Sequence, residues 1–309
     1  MKIHDYINLP KCLNDDNILK INKYEFIISK LVENPNYIYL HMSEDFLEHN
    51  DIVEVFKQVK NKIILICSGD IDFPPPKKPY SYHKYFNKNI LPDNYLHINY
   101  YEKIHSNIID VIEQNNLYVV TFSVSINHPR IINFPLGIFP RFNYYHLKTN
   151  NKDILCYANF GIHYTHDGVS FPWYGNQRGE IVDIIKDKDF ILKENLIKST
   201  GRYVNNLDNF YNKISRSKFA LCPRGCGIDT YRLWDCIVLG CIPIVEKYGG
   251  HEQYTDLPIL FINDHSEYKE MNEEYLNDKY NEYLNKSFNY EKCTFDYWIK
   301  KIIDLSTLI

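Results

Sequence analysis

Apolar positions along the chain come in short runs separated by amphipathic stretches. In the first half the runs cover residues 36–42, 62–70, 117–123 and 130–138. Residues 62–70, "KIILICSGD", form a continuous β-branched run ended by glycine, the pattern of a strand buried on both faces. Residues 44–60 carry a helical pattern broken near Asn50. The second half repeats the alternation. Residues 153–160, 189–195, 219–223 and 241–247 read as strands, and 175–188, 205–218 and 229–240 as helices. The first of these helices is expected to open at Asn176 or Gln177. The polar, tyrosine-rich tail beyond Asn272 is also predicted to be helical. Such alternation predicts an α/β fold with parallel sheets and crossover helices, one sheet in each half.

Residues 139–152 lose apolar periodicity and read as a linker. The expected division is a first Rossmann-like domain over 1–145 and a second over 146–285. A C-terminal helix over 286–309 is expected to pack back on the first domain.

Composition narrows the function. A chain of 309 residues is long enough for two cores. The net charge of −4 offers no bulk basic field, so nucleic acid is not an expected partner. Of the eight cysteines, Cys67, Cys156 and Cys222 sit in apolar runs and read as buried free thiols. Cys222 and Cys226 are four apart with no second close pair, so no metal site is expected. The first residues lack an apolar signal core and no stretch reaches membrane-spanning length. The expectation is a soluble, cytoplasmic protein.

The chemistry concentrates in "CPRGCGIDTYRLWDC", residues 222–236. A strand ends at Leu221, and Pro223, Gly225 and Gly227 allow a sharp turn with open space above it. Asp229 or Thr230 is placed to cap a helix that is apolar on nearly every face and stops at Gly240. Arg232 and Asp235 break that apolar surface, three residues apart and so on one face. A cation in the first turn opposes the helix dipole by about 0.3–1 kcal/mol unless an anion binds there. Backbone N–H groups, the dipole and arginines would together hold a phosphate. Internal pairing of Arg232 with Asp235 or Asp229 is the competing reading. The glycine spacing fits neither the dinucleotide fingerprint nor the Walker loop.

Residues 217–245, "SKFALCPRGCGIDTYRLWDCIVLGCIPIV", resemble the nucleotide-sugar motif of exostosin-like glycosyltransferases, family 47. The related donor motif of fucosyltransferases is similar but less close. Weaker likeness extends over residues 62–246. The resemblance implies a GT-B fold, two Rossmann-like domains facing a cleft, with donor in the second and acceptor mostly in the first. It implies inverting transfer from a nucleotide diphosphate sugar, a UDP-sugar first among donors, to a glycan or glycoconjugate hydroxyl, with no obligatory metal or cofactor. Asp235 stands where the family usually has Glu, which loosens the identity of the sugar donor. Arg232 and Arg178 are then the diphosphate ligands, with Arg224 in reserve, beside Gly225, Gly227, Asp229 and Thr230.

Inverting transfer needs a general base. Asp72, then Asp70, is the candidate, because both follow a buried strand in the acceptor half. His83, Glu102 and His128 rank lower, and His163 and His166 read as ordinary loop histidines. The alternatives are a catalytically silent nucleotide- or glycan-binding relative, a GDP-fucose-type transferase, or an unrelated phosphate-binding enzyme such as an epimerase.

Overall fold

The computed structural model describes residues 34–41, 52–67, 73, 108–138, 147–166, 169–172, 177–196, 207–225 and 227–309. The first half contains β1 (Tyr37–His41), α1 (Ile52–Lys57), β2 (Ile63–Cys67), β3 (Tyr118–Thr121) and β4 (Ile131–Asn133). Residues 108–114 are helical. The strands form one parallel sheet in the order β1-β2-β3-β4. The apolar run over 130–138 yields only three residues of strand, Ile131–Asn133, and three irregular residues separate it from Gly137, where φ is 70°.

The second half runs β5 (Ile154–Asn159), the hairpin β6 (His163–His166) and β7 (Val169–Pro172), α2 (Gln177–Ile185), β8 (Ile191–Glu194) and α3 (Leu207–Arg216). It continues with β9 (Ser217–Leu221), α4 (Tyr231–Val238), β10 (Ile242–Glu246), a 3-10 turn (Gly249–Tyr254) and β11 (Leu260–Ile262). The helices α5 (Glu273–Asn285) and α6 (Phe295–Leu305) close the chain. Its sheet is parallel, in the order β11-β10-β9-β5-β8. Two parallel sheets with crossover helices are what the alternation predicts, and the layout is consistent with a GT-B architecture. The hairpin is a correction: His163 and His166 lie on a paired strand, not in a loop.

The core explains the arrangement. One face of the second sheet packs on α2 and α5 through Cys156, Ala158, Phe160, Ile181, Ile185 and Leu276. The other face carries α3 and α4 and joins a cluster that reaches into the first half, with Val120, Phe122, Ile132 and Phe134. The helix α6 belongs to this shared cluster. Phe295 and Trp298 meet Phe134 edge-on at 6.4 and 6.1 Å. Val53, Phe56 and Ile108 cover the first sheet's opposite face.

Connections leaving the carboxyl ends of the two sheets meet. Gly249 and Gly250 donate N–H bonds to Ser125 and Val124 carbonyls, both at 3.1 Å. A methyl at Gly249 would overlap the backbone of Ile126 and Asn127, so the approach requires glycine. Val124 in turn bridges Phe73, the residue after Asp72. Asp70, Asp72, His83 and Glu102 lie outside the described residues, as does part of the expected linker, 139–146. Among the described residues no helix is long and apolar enough to cross a membrane.

A candidate anion site at the sheet's switch point

The second sheet starts in β5, adds β8 on one side, then crosses to add β9 on the other. Doubly wound sheets bind ligands at such a reversal, in the crevice expected outside the carboxyl ends of the two strands, here β5 and β9. Among the described residues, 160–161 and the connection from Cys222 to Thr230 leave these two strand ends.

The helix α4 begins at this loop. Thr230 is its N-cap, with extended backbone and its hydroxyl accepting from Leu233 N–H. The helix ends in a Schellman motif: Gly240 at φ 71° donates to Ile237 O at 3.1 Å, and Cys241 donates to Cys236 O at 2.8 Å. Its body is buried, so only the first turn faces the crevice. First-turn N–H groups have no intrahelical partner and carry the positive end of the dipole.

Arg178 spans the crevice. Its Nε donates to Arg224 O at 2.9 Å, Nη1 to Gly161 O at 2.9 Å and Nη2 to Pro223 O at 3.3 Å. The residue is 7% exposed. It therefore binds the strand ends together as well as bringing charge beneath the loop. The sequence reading makes Arg178 a diphosphate ligand; here its guanidinium also serves three carbonyls of the protein. A Cβ built on Gly225 would sit 3.5 Å from Nη2 and 4.0 Å from the Thr230 methyl, ordinary contact. Among the described residues nothing demands glycine there, so the expected open space matters to something seated on the loop.

Arg232 projects from the first turn of α4 over the Phe210 ring, 6.0 Å from its centroid. Its Nε is buried without a hydrogen-bond partner. No carboxylate pairs with it among the described residues, so the expected alternative of pairing with Asp235 or Asp229 is not realised. Asp235, 2% exposed, accepts from Tyr211 OH at 3.4 Å. It faces α3 from the interior, not open solvent. Asp229 is a different object. Both its oxygens accept from internal N–H groups, and burial pushes its carboxyl up to about 7 despite them. Arg224 lies 5.1 Å from the Tyr248 ring centroid and is buried.

Three polar residues that the pattern reading passed over flank these arginines. Each is the last residue of its strand: Asn159 of β5, Glu194 of β8 and Glu246 of β10. Asn159 donates to Tyr157 OH at 2.6 Å, and that hydroxyl donates to Glu194 at 2.9 Å. Glu194 is paired with Lys213. Burial raises the Tyr157 phenol well beyond its usual range. On the other flank Glu246 accepts from Tyr248 OH at 3.0 Å and from Gln177, and burial raises its carboxyl. His251 accepts Tyr248 N–H on Nδ1 at 3.1 Å, so its proton sits on Nε2. Burial, then the nearby Arg224 charge, lowers it to about 3, and it stays neutral. A polar residue ending a buried run is the signal that would have found these groups. His128, a lesser candidate, contacts Glu113 at 3.2 Å on the 108–114 helix.

No protein-family model and no curated protein matches the chain. Among solved structures it is similar to an alpha1,3-fucosyltransferase, at 10% identity and a TM-score of 0.34. The superposition covers 88% of this chain and 91% of that one. A likeness of this size bears no argument about function.

Proposed function

We propose that the chain is a glycosyltransferase that binds a nucleotide diphosphate sugar at the switch point. The observation that carries the reading is the pairing of the α4 N-terminus with Arg232, whose buried Nε has no acceptor among the described residues. An unmatched buried donor of a charged group is costly, and an anionic oxygen is the partner that removes the cost. The resemblance of residues 217–245 to the exostosin-like donor motif supports the nucleotide sugar as the source of that anion. In this reading Arg232 and the helix dipole stabilise the departing diphosphate, and Arg178 and Arg224 raise the local potential. Asp235, buried beside Tyr211, orders the inner wall of the pocket.

The acceptor would lie toward the first half, whose strand ends meet those of the second. Phe73 supports Asp72 as the base: its N–H donates to Ser123 O at 3.0 Å, and the paired Val124 accepts Gly250 N–H. The neighbour of Asp72 is thus anchored where the halves touch. A UDP-sugar as donor, inversion and independence from metal belong to the same proposal.

The test is calorimetry with UDP, GDP, UDP-sugars and GDP-fucose, run on the wild type and Arg232→Ala. The variant should lose tenfold or more in affinity, since charge-assisted hydrogen bonds contribute about 1.5–3 kcal/mol. Asp72→Asn should bind donor normally and turn over about 10²–10⁴-fold more slowly. Equal binding by Arg232→Ala would refute the site, and binding without turnover in the wild type would leave a silent relative.

A further inference from the structure

Asp229 receives hydrogen bonds from both halves of the chain. Oδ2 accepts from Leu136 N–H at 2.8 Å, and Leu136 follows β4 of the first sheet. Oδ1 accepts from Thr230 N–H, the N-cap of α4, at 2.8 Å. The Trp234 indole N–H spans both oxygens, at 2.8 and 3.0 Å. The side chain is 2% exposed and no cation pairs with it among the described residues.

We propose that Asp229 is a positioning residue: it fixes the N-terminus of α4, and with it Arg232, against the first half of the molecule. The inference rests on the anion-site reading above for its functional consequence, and on geometry alone for the tie. Three donors converge on two oxygens, and among the described residues none of the hydrogen-bond partners is an acceptor for a carboxyl proton. Only a carboxylate presents acceptors in both directions; an amide would turn an NH2 toward one of the donors. Burying this carboxylate opposes ionisation and raises it to about 7, while the Leu136, Trp234 and Thr230 donors hold it down. Tyr254 is the titratable side chain set against it. That phenol is raised far up by burial and by Asp229 itself, and it donates to Asn133 O at 2.9 Å. Tyr254 therefore stays neutral and contributes no competing charge.

The consequence is mechanical. Leu136 is followed by the left-handed turn at Gly137, and Asp229 is preceded by the glycine-containing loop of the anion site. Sliding one half past the other breaks the Leu136 bond and exposes a buried anion. The tie thus sets how far Arg232 stands from the acceptor side. A residue serving only as a helix cap would need Thr230 N–H and not Leu136 N–H.

Asp229→Asn is compared with wild type and with Ile185→Ala, a buried change in the core cluster between the second sheet and α2 and α5. The probe is UDP-glucose, whose diphosphate does not titrate near neutral pH. Affinity is measured by calorimetry below each variant's melting range, and Leu136 amide exchange by NMR or mass spectrometry. Asp229→Asn should lose about tenfold in affinity and exchange Leu136 about tenfold faster, as for removal of a hydrogen bond to a charged group. Ile185→Ala should be destabilised yet bind as wild type. Normal binding by Asp229→Asn, or an equal loss in Ile185→Ala, overturns the positioning role. If wild type binds neither this probe nor any other nucleotide of the panel above, the function proposed above falls. Leu136 exchange then decides the tie by itself: unchanged exchange in Asp229→Asn overturns it. Should Asp229→Asn fail to fold, the wild type carries the test. Its Leu136 amide must be protected, and an unprotected amide overturns the tie.

Discussion

Arg178→Ala removes three hydrogen bonds that join two strand ends. Nε, Nη1 and Nη2 serve the carbonyls of Arg224, Gly161 and Pro223, from a side chain 7% exposed. Each bond from a charged donor contributes about 1.5–3 kcal/mol, and each buried carbonyl left bare costs about 1–3. The three share one side chain and do not add, and burying the guanidinium is itself a cost. Loss of one partner from a buried charged network typically costs about 3–5 kcal/mol, which is the expected destabilisation here. Arg178→Lys places one ammonium where a planar fork reached three carbonyls, so it should recover about one bond and fall between. Urea unfolding of the ligand-free protein, followed by tryptophan fluorescence, measures the order wild type, Lys, Ala. The absence of ligand is what gives the assay its force. An arginine whose role is to touch phosphate would leave apo stability unchanged. Arg178→Ala within about 1 kcal/mol of wild type would refute the staple.

Two glycines should separate by role. Gly249→Ala meets the backbone of Ile126 and Asn127 and should destabilise by about 1–3 kcal/mol or more in a urea melt. Gly225→Ala has room and should melt like wild type, yet weaken nucleotide binding if a ligand rests on that loop. Lys152, half-buried, donates to Ser215 O and to Leu239 O, and desolvation lowers it to about 8 from 10.5. A folded pKa below the unfolded one means stability rises as pH climbs through 8 to 10.5. The amplitude is at most about 3 kcal/mol at 1.36 kcal/mol per unit. In Lys152→Met that part of the rise, taken as the difference from wild type in urea melts across this range, should vanish.

How much of this was legible in the sequence depends on range. Elements whose signal is local came through: the β2 run over 62–70, the α4 helix with its Thr230 cap, and the Gly240 stop. Hydrophobic period and capping chemistry act within a few residues, so reading them needs no partner. The hairpin Val169–Pro172 with His163–His166 was missed because its apolar content is low and its pairing fixes it. Strand β11 was missed for a similar reason, since three residues carry no period. The site shows the same division. Arg232 and Asp235 were visible as charged residues on an apolar helix. The Arg178 contacts were not, because Gly161, Pro223 and Arg224 lie 17 to 46 positions away. The Asp229 bond to Leu136 spans 93 positions and depends on how the two sheets dock.

Those long-range ties have a joint effect on binding. The loop between β9 and α4 is held at its start by Arg178 on the Pro223 and Arg224 carbonyls. It is closed in its middle by Gly225 N–H on Gly227 O at 3.1 Å, and held at its end by Asp229 on Thr230 and Trp234. Fixing a residue's backbone costs about 1–2 kcal/mol of conformational entropy. Here that cost is met in folding, so a ligand arriving at the α4 N-terminus need not order the loop and keeps more of its contact energy as affinity. Preorganised dipoles also stabilise developing charge without rearranging at the moment of bond breaking, which is where a departing diphosphate needs them. The three ties use a guanidinium on carbonyls, a peptide turn and a carboxylate on N–H groups. The guanidinium grips carbonyls, the carboxylate grips N–H groups and the turn pairs one of each, so neither side chain can stand in for the other.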